Sequence, residues 1–145
     1  SILDACISHI YHQRMLEVRS LDTAQQIEKY INDNIAWDLS IEHLCAHFSI
    51  SRAELYQLFH TNFNASVADY IRSKRIAMAE QLIRTTSMQI SEIAGNVGFF
   101  DYNYFSKVFH RKFGVSPREY RKRLEDNGTG QEKTAEQGKS NTKKA

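Results

Sequence analysis

Proline is nearly missing from this chain: the 145 residues contain one, Pro117. No β-alternating run with hairpin punctuation occurs either, so strands find no support and the pattern is helical almost throughout. Cysteine is scarce, with only Cys6 and Cys45. That excludes a disulfide-dense scaffold and points to a reducing, cytoplasmic setting, although a single disulfide between the two stays open. No apolar run approaches the ~18–20 residues that a helix needs to cross a bilayer, and Ser1–Ser20 lacks the basic start and apolar stretch of a secretion signal. Gly-rich phosphate loops, nucleophile elbows and paired catalytic carboxylates are all absent, so no enzymatic activity is expected within these residues.

What is present is ordinary in amount and unusual in arrangement. Hydrophobic content of 41% and charged content of 25% match a globular domain with a real core. The formal net charge is only +2, but its two signs are segregated. Glu17–Glu54 holds seven acids against three bases, a net of −4, whereas Tyr104–Leu124 holds seven bases against Glu119 alone, a net of +6. A basic half beside an acidic half suits one surface that meets a polyanion, although solvated helix faces would give the same counts.

The chain also repeats itself. Residues 39–72 and 88–123 superpose at an offset of 49, which becomes 50 after one inserted residue. Ile41, Leu44, Cys45 and Phe48 fall on Ile90, Ile93, Ala94 and Val97. Beyond the insertion, Ser51, Leu55, Leu58, Phe59, His60, Phe63, Ser66 and Tyr70 fall on Asp101, Phe105, Val108, Phe109, His110, Phe113, Ser116 and Tyr120. Each copy reads as a short helix, a turn and a second helix. In the first, Ser40 caps Ile41–Phe48, and Ser51 with Glu54 has the spacing of a capping box. Asn64 and Gly114 occupy the left-handed stops that end the second helix of each copy. Ser66 caps a long connecting helix to about Arg84, and Ser116 caps a last helix with Pro117 at its first position. A helix from Thr23 to about Ile35 precedes the repeats. Residues 1–20 read as a helical linker or the end of a preceding domain, and the start at Ser1 reads as an excised fragment. Residues 126–145 carry no apolar anchor and are expected to be disordered.

Two such units some 50 residues apart fit a periodic partner, and duplex DNA is one. In a helix-turn-helix the second helix enters the major groove. Helix 52–62 buries Leu55, Leu58 and Phe59, which leaves Arg52, Ala53, Tyr56, Gln57 and His60 outward; helix 102–112 presents Tyr102, Asn103, Ser106, Lys107 and His110. Gln and Asn pair bidentately with adenine, Lys suits guanine, and Ala or an aromatic ring packs on a thymine methyl. Ser40, Arg72, Arg75, Tyr104, His110, Arg111, Arg121 and Lys122 are candidates for phosphate. Arg75 has a structural alternative, and Tyr104 has the alternative of packing inward. His43 and His47 have a metal-capable spacing, and His9 and His12 could share a face. Neither pair has a third ligand, so no metal and no cofactor are expected. A helical protein-interaction module docking through Tyr56 and Tyr102 remains a competing reading, as does a binding module fused to an enzyme outside this chain.

These residues resemble the DNA-binding domain of the AraC/XylS family of bacterial transcription regulators, over about residues 21–124. The second copy carries the signature Ile90-x-Glu92-Ile93-Ala94-x-x-Val97-Gly98-Phe99-x-Asp101-x-x-Tyr104-Phe105-x-Lys107-x-Phe109, followed by Phe113-Gly114-x-Ser116-Pro117-x-x-Tyr120-Arg121. The resemblance implies an all-α fold of about seven helices. Two helix-turn-helix subdomains, about 40–63 and 89–113, are joined by a linker helix over about 66–85 within a domain spanning 21–125. By position it implies base reading by Ala53, Tyr56 and Gln57 and by Tyr102, Asn103, Ser106 and Lys107. It further implies double-stranded DNA and RNA polymerase as partners and activation rather than repression. The fragment would be monomeric, and the full-length protein dimeric through a domain outside it. Two groove insertions on one DNA face lie ~34–36 Å apart. A linker shorter than that bends the duplex at a cost on the order of 1–6 kcal/mol, unless one unit touches only backbone.

Overall fold

The computed structural model describes residues 1–137. Seven helices and no strands occur among the described residues: α1 (Ile2–Asp33), α2 (Ile41–Phe48), α3 (Arg52–Phe63), α4 (Val67–Thr85), α5 (Ile90–Asn96), α6 (Tyr102–Phe113) and α7 (Pro117–Gln137). None is long and apolar enough to cross a membrane.

Two expectations change. The helix expected to begin at Thr23 is continuous with residues 1–20 in one 32-residue α1. No Gly or Pro interrupts that stretch, and extending an existing helix costs far less than nucleating a second one. The tail expected to be disordered from Asp126 is helical as far as Gln137. The same propagation from a capped helix carries it. The remainder of that expectation, 138–145, lies outside the described residues.

The chain divides into two compact units, Ser1–Arg75 and the part from Ile76 onward, with the boundary inside α4. In the first unit Ile27 and Ile31 of α1 pack with Leu44 of α2, Leu55 and Phe59 of α3, and Val67 and Ile71 from the start of α4. In the second, Ile76, Ala79 and Ile83 from the rest of α4 pack with Ile93 and Val97 near α5 and with Phe105 and Phe109 of α6. One helix therefore closes the first core and opens the second. Phe59, Phe105 and Phe109 are fully buried, each contributing about 1.5–3 kcal/mol relative to an exposed ring.

The duplication extends to backbone and polar detail. Among the described residues, the four with positive φ fall in two equivalent pairs. Ser49 (φ 53°) and Gly98 (φ 94°) turn the chain inside each helix-turn-helix, and Asn64 (φ 49°) and Gly114 (φ 77°) end its second helix. Phe59, Phe63 and Tyr70 form an aromatic trio with centroids 4.6–5.2 Å apart. Phe109, Phe113 and Tyr120 repeat it at 4.5–5.5 Å. The hydroxyl of Tyr70 donates to Glu28 at 2.7 Å, and that of Tyr120 donates to Glu80 at 2.6 Å. Each bond ties the last helix of a unit to its first.

Candidate nucleic-acid interface

Helix α3 starts from Ser51, whose side chain accepts from the Glu54 N–H while the Glu54 carboxylate accepts from the Ser51 N–H. Helix α6 starts from Asp101, whose carboxylate accepts from the N–H groups of Asn103 and Tyr104 at 2.9 and 3.3 Å. These caps satisfy backbone donors that would otherwise be orphaned, and they fix where each helix begins. Because Leu55 and Phe59 are buried on α3, and Phe105, Val108 and Phe109 on α6, the opposite stripe of each helix is set by its 3.6-residue period.

On α3, the exposed stripe contains Arg52, Ala53, Tyr56, Gln57 and His60. Arg52 is not free in this structure, since its guanidinium pairs with Glu42 of α2. Gln57 borders a surface groove between α1 and α3 that also involves Leu16, Ser20, Ile50 and Leu58. On α6, Asn103, Lys107 and His110 are exposed, whereas Ser106 is half-buried. Tyr102, expected to point outward, is also half-buried, packed against the core with its ring 6.2 Å from that of Phe105. Tyr104 remains 46% exposed while its ring leans on Phe99 at 6.0 Å.

The residues expected at phosphate fall into two groups. His110, Arg111 and Lys122 are on the surface; Ser40 caps α2, its hydroxyl accepting from the His43 N–H. Arg72 pairs with Asp69 of its own helix at 2.7 Å. Arg75 and Arg121 are turned into the fold. Arg75 donates to the carbonyls of Ile35 and Trp37, both at 3.0 Å. Arg121 donates to the carbonyl of Met88 and, at 3.4 and 3.3 Å, to those of Ile83 and Thr86. The cause is the set of carbonyls left open where a helix ends and a loop begins, which a planar, always-charged fork satisfies well. Burial pulls the Arg75 guanidinium below its ordinary pKa, opposed by the charge of Asp38. With Arg121 occupied and Arg123 paired to Glu119, the basic stretch keeps five cations without an ion pair among the described residues: Lys107, Arg111, Lys112, Arg118 and Lys122.

His43 and His47 belong to an aromatic stack. The hydroxyl of Tyr30 lies 2.8 Å from His43 Nε2, and its ring centroid lies 4.1 Å from that of His47. Among the described residues no group of three or more His, Cys, Asp or Glu side chains is placed to hold a metal ion. Sequence left Arg75 open between phosphate and structure and gave no sign of the Arg121 clamp, because the acceptors of both are backbone carbonyls 33–40 residues away.

A helix-turn-helix domain family matches residues 44–123. The HTH-type transcriptional activator RhaR of Cronobacter sakazakii is 37% identical over 100 residues, covering 69% of this chain and 35% of the relative. The arabinose operon regulatory protein of Escherichia coli is 36% identical over 99 residues, covering 68% and 34%. The chain thus spans about a third of the length of these curated relatives. The C-terminal domain of the two-component response regulator yesN from Fusobacterium nucleatum superposes with a TM-score of 0.65 at 30% identity, covering 69% of this chain and 98% of that one. The DNA-binding domain of AdpA, solved with a target DNA, shares the fold with a TM-score of 0.69 at 21% identity, covering 72% and 94%. On the match from Leu44 to Arg123, together with seven helices carrying duplicated helix-turn-helix units, the chain belongs to the AraC/XylS family of helix-turn-helix transcription regulators.

Proposed function

We propose that this chain binds double-stranded DNA sequence-specifically, with α3 and α6 entering successive major grooves, and that the protein containing it activates transcription. The observation that carries the proposal is the exposed face of α6. Asn103 and Lys107 have the chemistry that reads adenine and guanine, and they share their unit with four further cations that have no ion pair among the described residues, Arg111, Lys112, Arg118 and Lys122. On α3, Ala53, Tyr56 and Gln57 are the corresponding readers. Arg52 reaches a base only by leaving Glu42. Ser40, His110, Arg111 and Lys122 form the phosphate set, and Tyr104 joins it through its exposed edge. Arg72 joins it only by exchanging Asp69 for a phosphate.

The names of RhaR and the arabinose regulator support a regulatory role. RNA polymerase is the protein partner that activation requires, and dimerisation of the whole protein falls to a region outside this chain. The test is selection of bound sequences from random duplexes, followed by affinity against salt. Each neutralised phosphate contributes a slope of about −0.9 in log K against log salt, so the four cations other than the base reader Lys107 predict about −3 to −4. Binding that ignores salt and enriches no sequence would instead favour the protein-docking reading.

A further inference from the structure

The two helix-turn-helix units differ in length by one residue, and the extra residue is Phe100. The turn hydrogen bonds establish the equivalence. The Ile50 N–H donates to the Cys45 carbonyl at 3.1 Å, and the Phe99 N–H donates to the Ala94 carbonyl at 2.9 Å. Phe99 is therefore the counterpart of Ile50, and both face inward. Phe100 is additional, standing between Phe99 and the Asp101 cap. At 91% it is the most exposed large hydrophobic side chain among the described residues.

Its exposure has a local cause. A residue just before a helix cap ordinarily packs on the fourth residue of the helix, which here is Phe105. That place is taken, because Phe105 is fully buried and Phe99 lies against it with ring centroids 5.2 Å apart. Gly98 at φ 94° turns Phe99 into the core, and the two bonds to Asp101 fix the start of α6. Phe100 is left exposed immediately ahead of the Asp101 cap and the first turn of α6. N-terminal residues of a recognition helix are the ones that meet base edges, and phenylalanine there suits the thymine C5-methyl group, the one apolar feature of the major-groove floor.

We propose that Phe100 is a specificity-determining residue whose ring packs on a thymine methyl at the end of the site read by α6. The inference rests on α6 being the groove helix, and the experiment separates the two. Sequences selected by the wild-type chain are remade with deoxyuridine at each thymine in turn, which removes the methyl and keeps the pairing. One such replacement is expected to weaken wild-type binding by on the order of tenfold. Phe100→Ala should show the same loss on the unmodified site and no further loss on the modified one. Its salt slope and unfolding midpoint should match the wild type, since the ring neutralises no phosphate and packs on nothing. Retained thymine preference in Phe100→Ala overturns the proposal. So does a loss spread evenly over all sequences, and so does unchanged DNA binding with lost transcriptional activation, which would make Phe100 a protein contact. If the wild-type chain itself selects no sequence, the groove reading of α6 has failed first.

Discussion

Arg121→Ala should act on stability rather than on DNA affinity. The guanidinium of Arg121 reaches three main-chain carbonyls, of Ile83, Thr86 and Met88, which bind α7 to the end of α4 and to the loop before α5. A hydrogen bond from a charged donor contributes about 1.5–3 kcal/mol when well made. Two of these three are long, at 3.4 and 3.3 Å, and Arg121 is half-buried, so water replaces part of what is lost. A net destabilisation of about 2–3 kcal/mol follows, a large share of the roughly 5–15 kcal/mol typical of a whole domain. For a unit of this size that corresponds to a fall of roughly 10–20 °C in unfolding midpoint. Arg121→Lys should fall between, since it keeps the charge and loses the planar fork. The assay is thermal unfolding by circular dichroism, paired with the salt dependence of binding to a selected duplex below the midpoint. A variant that melts with the wild type, and whose salt slope is shallower by about 0.9, would refute this reasoning and make Arg121 a phosphate ligand.

Lys107→Ala should lower affinity for the selected site by about 1–3 kcal/mol and relax preference at one position; unchanged discrimination between selected and scrambled duplexes would remove it from the readers. Tyr70→Phe should change the pH dependence of the first unit. The hydrogen bond from Tyr70 holds the Glu28 carboxyl below its ordinary value, so that stabilisation is complete above the ordinary carboxyl range and is lost as pH falls through the lowered value. Burial, then the bond to Glu28, pushes the Tyr70 hydroxyl above its ordinary value of 10.0, so its contribution is complete below that value and fades as pH rises past it. The variant should cost about 1 kcal/mol between roughly pH 5 and 9 and flatten both limbs of a denaturant-derived stability profile; a profile parallel to the wild type's would contradict this. Gly114→Ala should cost about 1–2 kcal/mol from backbone conformation alone, because φ is +77° and a Cβ added there would meet no atom within 4 Å. Gly114→Asn, copying Asn64, should recover much of that stability in chemical denaturation, and equal losses for the two would point to a packing cost instead.

Local chemistry determined most of the fold. The duplicated spacing of Leu44, Leu55 and Phe59 with Ile93, Phe105 and Phe109 names the buried stripe of each short helix, and the outward stripe follows from the same period. The caps at Ser51, Asp101, Ser66 and Ser116 and the stops at Asn64 and Gly114 depend on residues within four positions of each other, so the sequence alone locates them. The extent of α1 was not legible, because no residue near Ser20 decides between a break and continuation, and packing of Ile27 and Ile31 stabilises the helix that propagates through it. Tertiary structure decided the rest. Whether Arg111 or Arg121 is free for a phosphate depends on carbonyls more than thirty residues away, and nothing in the basic run distinguishes them. Phe99 and Phe100 are the same residue type side by side, yet one is buried and the other bare. That choice follows from the φ of Gly98 and from which ring already occupies the space above Phe105.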